Sequence, residues 1–343
     1  MFGMTIAFIA VALAATVVGA ALAKREARRN QIRKYLEIGP NGIAESRYVR
    51  IGGIDQWVQI RGEDKENPVL FVLHGGPGSP YAVFTPLIRS WEKHYTVVQW
   101  DRRGCGMTRR NGKDAGTFDQ LVNDAAEMAA WIRDYLGKEK LILLAGSMGT
   151  MIGVPLARKR PDLFEAFVCT DMYATMYDNE RAGYEMALLR ATPRQRKRLE
   201  RIGADPQRWD LKAWQVKMDI AMKTDPVTPN AVAKLLFPLA FASPLYRLRD
   251  AYALLAGFMS VQKQMYAEYC AYDAYRHGTR FEVPFYLVQG ETDVLTITEL
   301  AERYYERVEA PEKAIELIPN ASHFAAFTQP EAFLQALRKL KVA

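Results

Sequence analysis

Three residues far apart in the chain have the types that nucleophilic acyl transfer requires: Ser147, Asp293 and His323. A serine hydroxyl is a weak nucleophile until an imidazole takes its proton and a carboxylate holds that imidazole in the useful tautomer. Ser147 lies in Ala145-Gly146-Ser147-Met148-Gly149, a small-x-Ser-x-small turn. The apolar run Leu141 to Ala145 before it reads as a buried strand, and Met148 to Arg158 after it as a helix. A strand that turns sharply into a helix lifts its serine above the end of a sheet. The Met148 N–H, at the helix N-terminus, can then face a developing oxyanion.

A second oxyanion donor is expected from His74-Gly75-Gly76-Pro77-Gly78, which follows the strand-like run Val69 to Leu73. Its bare backbone allows close approach, and the Gly76 N–H is the favoured donor. Phe285 to Gly290 reads as a late strand with Asp293 in the loop beyond it, and Glu291 shares that loop as a weaker candidate. His323 follows the next strand and precedes the final helix. The other histidines are placed elsewhere: His74 in the glycine turn, His94 ahead of a strand, His277 at the end of a helical stretch. The order Ser, Asp, His suits a sheet whose successive strands deliver one group each.

The elements that must hold these residues follow from short apolar runs. Arg47 to Ile51 and Gln56 to Ile60 alternate around Gly52-Gly53, the pattern of an antiparallel hairpin. Runs at 69–73, 96–100, 141–145, 166–169, 285–288 and 314–318 are separated mostly by helical patterns, notably Asp119 to Leu136. Such alternation predicts an α/β fold, a mostly parallel sheet with helices on both faces. The rhythm breaks over 173–278, where Pro193, Pro206, Pro226, Pro229, Pro238 and Pro244 punctuate helix-forming sequence. This predicts a helical cap inserted between core segments 46–172 and 279–343.

Composition excludes several classes. Nearly half of the 343 residues are apolar and a quarter charged, as in folded globular proteins. Cys105, Cys169 and Cys270 are isolated, and with four scattered histidines they form no disulfide framework or metal motif. The net charge of +7 comes from basic runs at 24–34 and 190–201, each about +5, leaving the remainder slightly acidic. That distribution argues against nucleic acid as a partner.

Residues 1–23 carry no charged side chain and are long enough to span a bilayer. A cleaved signal peptide is the competing reading, since Ala21-Leu22-Ala23 resembles a cleavage site. The first five residues lack Lys or Arg, however, and Lys24, Arg25, Arg28 and Arg29 follow the apolar run. The expectation is an uncleaved single-pass membrane anchor, a basic juxtamembrane segment over 24–45, and a catalytic domain in the cytoplasm.

Taken together, these motifs resemble the proline iminopeptidase-like branch of the α/β-hydrolases, from about Arg47 to the C-terminus. His74-Gly75-Gly76-Pro77-Gly78 resembles its H-G-G-P-G signature, and Trp100 to Thr108 is similar to its D-x-R-G-x-G-x-S loop, with Thr108 in place of serine. The resemblance implies a serine hydrolase that needs no cofactor and acts on a small ester, amide or short peptide. One departure bears on substrate. The branch's aminopeptidases carry a cap motif like W-x-x-W-E whose glutamate holds the substrate amine, whereas here Trp214 is followed by Gln215, Val216, Lys217 and Met218. Esters or amides without a free α-amine are therefore expected, with aminopeptidase activity and a non-catalytic, membrane-tethered binding protein as alternatives. The cap's tyrosines, tryptophans and methionines suggest an apolar roof for acyl or aromatic groups.

Overall fold

A computed structural model describes residues 2–340, with side chains from residue 16 onward apart from 248, 249 and 251. Eight strands form one sheet in the order β1-β2-β4-β3-β5-β6-β7-β8. The hairpin of β1 (Ile43–Ile51) and β2 (Ile54–Gly62) is antiparallel and reaches beyond the expected alternating runs at both outer ends. Its turn uses Gly52 and Gly53 at positive φ, as a two-residue hairpin requires. β2 also runs antiparallel to β4 (Thr96–Asp101). From β4 onward the pairing is parallel, through β3 (Val69–Leu73), β5 (Leu141–Gly146), β6 (Phe164–Thr170), β7 (Phe285–Gly290) and β8 (Lys313–Ile318).

β3, β4, β5 and β7 are buried along their whole length, which explains why they read as continuous apolar runs. One apolar cluster packs the sheet against α2 (Phe118–Leu136) and α3 (Thr150–Lys159). A second includes Trp91 stacked on Phe333 and lies under the C-terminal helices. The helices between β6 and β7 are α4 (Met176–Arg190), α5 (Pro193–Ile202), α6 (Leu211–Lys223), α7 (Ala231–Ala242), α8 (Leu248–Cys270) and the short α9 (Ala274–His277). α10 (Thr298–Glu306) precedes β8, and α11 (Ala325–Thr328) and α12 (Pro330–Lys339) follow it.

The N-terminal helix α1 (Phe2–Tyr35) leans on α7. Arg25 Nε donates to the Phe241 carbonyl at 2.8 Å, and Arg29 Nε to that of Ser243 at 3.1 Å. Among the described residues no helix is long and apolar enough to cross a membrane. The side chains of residues 1–15, most of the anchor expected over 1–23, lie outside the described residues.

Candidate active site

Parallel pairing brings the chemistry together. β3 lies beside β5, with Leu73 opposite Ala145, so the glycine loop after β3 meets the turn after β5. The turn is tight. Ser147 has φ +54°, a left-handed conformation that costs a non-glycine residue about 1–3 kcal/mol and concentrates at functional sites. A Cβ on Gly149 would stand 2.9 Å from the His74 carbonyl oxygen, and one on Gly75 would stand 2.7 Å from Ser147 Cβ. Both positions therefore require glycine. A 3₁₀ turn over Ser147–Gly149 precedes α3, so the helix proper begins two residues later than expected.

The structure joins Ser147, His323 and Asp293 in one hydrogen-bonded chain. His323 Nε2 lies 3.2 Å from Ser147 Oγ, and its Nδ1 lies 2.8 Å from Asp293 Oδ2. All three are buried. Asp293 is held by backbone N–H donors of Leu295 (2.8 Å) and Thr296 (2.9 Å), by Thr296 Oγ1 (2.6 Å) and by Gln289 Nε2 (3.3 Å). Four donors fix its orientation before the imidazole adds a fifth contact. Glu291, the alternative acid, is exposed and accepts from the Asn320 N–H.

Of the two expected oxyanion donors, Met148 is buried at the start of the 3₁₀ turn, and Gly76 sits at φ +134° before a cis bond to Pro77. Both lie in the two loops that β3 and β5 bring side by side. α8 roofs the glycine loops: a Cβ on Gly78 or Gly104 would stand 3.1 or 3.2 Å from the Val261 side chain. The His323 loop is tied to the inserted helices as well, through Ser322 Oγ donating to Asp225 Oδ2 at 2.6 Å.

Sequence reasoning missed Asp171. It follows β6, is buried, has φ +49°, and places Oδ1 4.0 Å from His323 Nδ1. Burial pushes its carboxyl up to about 7, with His323 opposing and Asp293 assisting the rise. Burial alone would lower the His323 pKa, but Asp293, Asp171 and, more weakly, Asp225 outweigh it and push the imidazole up to about 9. A residue directly after a strand in this topology was the available signal. Asp171, Asp293 and His323 also cluster closely enough to hold a cation. The 2.8 Å imidazole–carboxylate contact already occupies the ring nitrogen such an ion would need.

A buried serine, histidine and aspartate thus meet at the strand ends of a mostly parallel sheet. The chain belongs to the alpha/beta hydrolase fold family, whose model matches residues 68–330. It is 27% identical over 308 residues to a probable aminopeptidase, YbaC, of Bacillus subtilis (strain 168), covering 87% of this chain and 96% of that one. A proline iminopeptidase of Thermoplasma volcanium is 30% identical over 115 residues, 34% of this chain and 38% of its own. Among solved structures, a proline iminopeptidase-related protein of Thermus thermophilus superposes with a TM-score of 0.59. That match has 24% identity and covers 87% of this chain and 96% of the other.

Proposed function

We propose that the protein is a serine hydrolase that cleaves an ester or amide through an acyl-enzyme on Ser147. The observation that carries this reading is the continuous Asp293–His323–Ser147 hydrogen-bond chain. Ser147 Oγ attacks the substrate carbonyl carbon as His323 Nε2 takes its proton, and Asp293 stabilises the imidazolium. The Met148 and Gly76 N–H groups bind the oxyanion. Collapse of the tetrahedral adduct expels the alcohol or amine, which takes the proton from His323. Water then attacks the acyl-enzyme by the same route, releasing the acid and restoring Ser147. Labelling with a fluorophosphonate, abolished by Ser147→Ala, is the direct test. An unlabelled wild-type protein would instead favour a binding protein on this fold.

The charge arrangement of the inserted helices supports substrates without a free α-amine. Lys217, at the position of the aminopeptidase pattern's second tryptophan, is fully buried with Nζ 2.8 Å from Glu180 Oε2. The contact is an ion pair rather than an aligned hydrogen bond. Four other carboxylates of this region are also engaged: Asp219 with Arg198 and Lys223, Glu185 with Arg181, Asp273 with Arg276, Glu268 with the Phe118 N–H. At Glu180, Asp219, Glu185 and Asp273 a substrate ammonium would have to displace a cation to find a partner. Met176, Tyr177, Trp209, Trp214 and Tyr266 line an opening of about 510 Å³ beside Glu180. The aminopeptidase reading is favoured by the nature of the Bacillus relative. Turnover of proline arylamide against phenyl acetate separates the two.

The uncharged residues 1–23 and their basic flank support a membrane anchor with the catalytic domain on the cytoplasmic side. α1 leads to a nearby apolar groove of about 570 Å³, lined by Phe237, Phe241, Leu255 and Phe258 of α7 and α8. Sedimentation of full-length protein with membranes through a high-salt wash tests the anchor. A mature chain beginning at Lys24 outside the cytoplasm would show a signal peptide instead.

A further inference from the structure

Arg102 and Arg103 are adjacent, both buried, and differently provided for. Arg103 Nε donates to Asp124 Oδ2 at 2.7 Å, and Asp124 is itself buried. Arg102 forms no ion pair among the described residues. Its Nη2 lies 3.2 Å from the Gly75 carbonyl oxygen and 3.1 Å from His74 Nδ1, while Nη1 has no hydrogen-bond partner. The His74, Cys105 and Tyr269 side chains around it are neutral. Burial, and secondarily Arg102, hold the His74 imidazole well below its usual pKa; burial likewise keeps the Cys105 thiol and Tyr269 phenol protonated. Asp101, next in the chain, accepts from the Met107 N–H through Oδ2, and burial pushes its carboxyl up to about 7. A guanidinium cannot escape burial by losing its proton at ordinary pH, so an unpaired one in this position is a standing demand for an anion.

The position of that demand is informative. Arg102 lines a small closed cavity with Met148 from the serine turn, Cys105, and Val261, Met265 and Tyr269 from one face of α8. Gly75, whose carbonyl Arg102 binds, abuts Ser147. We propose that Arg102 is a specificity-determining residue that binds a carboxylate on the acyl part of the substrate, so that the preferred substrates are short hemiesters or monoamides of dicarboxylic acids. This deepens the serine-hydrolase reading and rests on it for the placement of the scissile carbonyl. The planar fork of Arg102 matches a carboxylate with two parallel N–H donors, and the low-polarity walls strengthen that pairing. The cavity, about 10 Å³, is barely large enough for one water molecule, so the acyl group enters as the α8 side chains shift. Met265, unbranched and adaptable, suits that role.

Calorimetric binding to full-length protein carrying Ser147→Ala, with monomethyl succinate against dimethyl succinate, tests the inference without turnover. The hemiester should bind at least tenfold more tightly, and adding Arg102→Gln should reduce that preference below threefold. Should Arg102→Gln fail to fold, Met265→Phe, which fills the cavity from α8, should remove the preference equally. Equal or undetectable binding of the two esters, or a preference that survives the second substitution, overturns the proposal. Fluorophosphonate labelling of the wild-type protein keeps the two readings apart. A labelled protein indifferent to the carboxylate defeats only the Arg102 site, and an unlabelled one that prefers it defeats only the serine mechanism.

Discussion

The strand ends of the sheet and the helices inserted between β6 and β7 both bury charge, but they treat it in opposite ways. In the insertion, Lys217 and Glu180 are neutralised by each other, and the surface carboxylates by nearby arginines and lysines. At the strand ends, two carboxylates face one histidine, Asp171 Oδ1 has no hydrogen-bond partner, and Arg102 has no counterion among the described residues. Ser147, Asp171 and Phe324, all non-glycine residues at positive φ, lie in this same region. Buried charge left uncompensated is destabilising, so its concentration here marks where the fold gives up stability to act on something else.

The sharpest break in that contrast comes from the serine turn. Ser147→Ala should abolish fluorophosphonate labelling and reduce kcat by about 10⁴-fold or more, since members of such a constellation act as a unit. Its melting temperature should stay within a few degrees of wild type or rise, because the side chain lost is small. Retained labelling would remove Ser147 from the mechanism.

Asp293→Ala should follow, with kcat down by roughly 10³- to 10⁴-fold, through loss of imidazole orientation. Glu291→Ala, on the exposed side of the same loop, should change kcat less than about threefold, as surface substitutions do. The reverse ranking would transfer the acid's role and undo the argument from the four donors around Asp293.

The insertion should fail in the opposite manner, through stability. Lys217→Met leaves Glu180 buried without its cation and should cost about 3–5 kcal/mol in denaturant unfolding. Arg198→Ala, which breaks the exposed pair with Asp219, should cost at most about 1 kcal/mol. Adding Glu180→Gln to Lys217→Met should recover much of the loss. Equal effects of the two single substitutions would mean that Lys217 is not burdened as its burial implies.

What could be read in advance divides along the same line. The strands, the Ser147 turn and the Asp293 and His323 loops were legible because apolar runs and small-residue turns are local signals. The hairpin was legible too, although β1 begins at Ile43 and β2 ends at Gly62, beyond the strict alternation. The insertion was legible only as a loss of rhythm. Lys217 read as a residue missing from a motif, and nothing local showed that it would be buried against Glu180 on another helix. Asp171 and Asp225 were missed for a related reason. Each reaches the His323 loop through tertiary packing, Asp225 across 97 residues. The unpaired state of Arg102 is likewise visible only once Arg103 is seen to take Asp124.

The smallest effect expected is a displacement of the pH profile by Asp171→Asn. His323 must be neutral to accept the Ser147 proton, so activity should rise with pH as the imidazolium deprotonates. Despite burial, the facing carboxylates push that step up to about 9, well above the ordinary histidine range. Removing the Asp171 charge withdraws one of the groups favouring imidazolium, so the ascending limb should move down by roughly one pH unit. Asp293 and Asp225 remain to hold it above the ordinary value. Stability supplies an independent readout. The Asp171 carboxyl is raised to about 7, so its contribution is fully present below the unfolded value near 4 and is lost as pH climbs through 7. Asn does not titrate, and the variant should lose that slope. His323, raised in the folded state, contributes stability below about 6.5 that disappears as pH rises through about 9, and this slope should move to lower pH with the activity limb. A variant with reduced kcat but an unmoved profile would make Asp171 a packing residue. A profile displaced downward with its high-pH plateau retained would show that the second carboxylate sets the pH at which the histidine works.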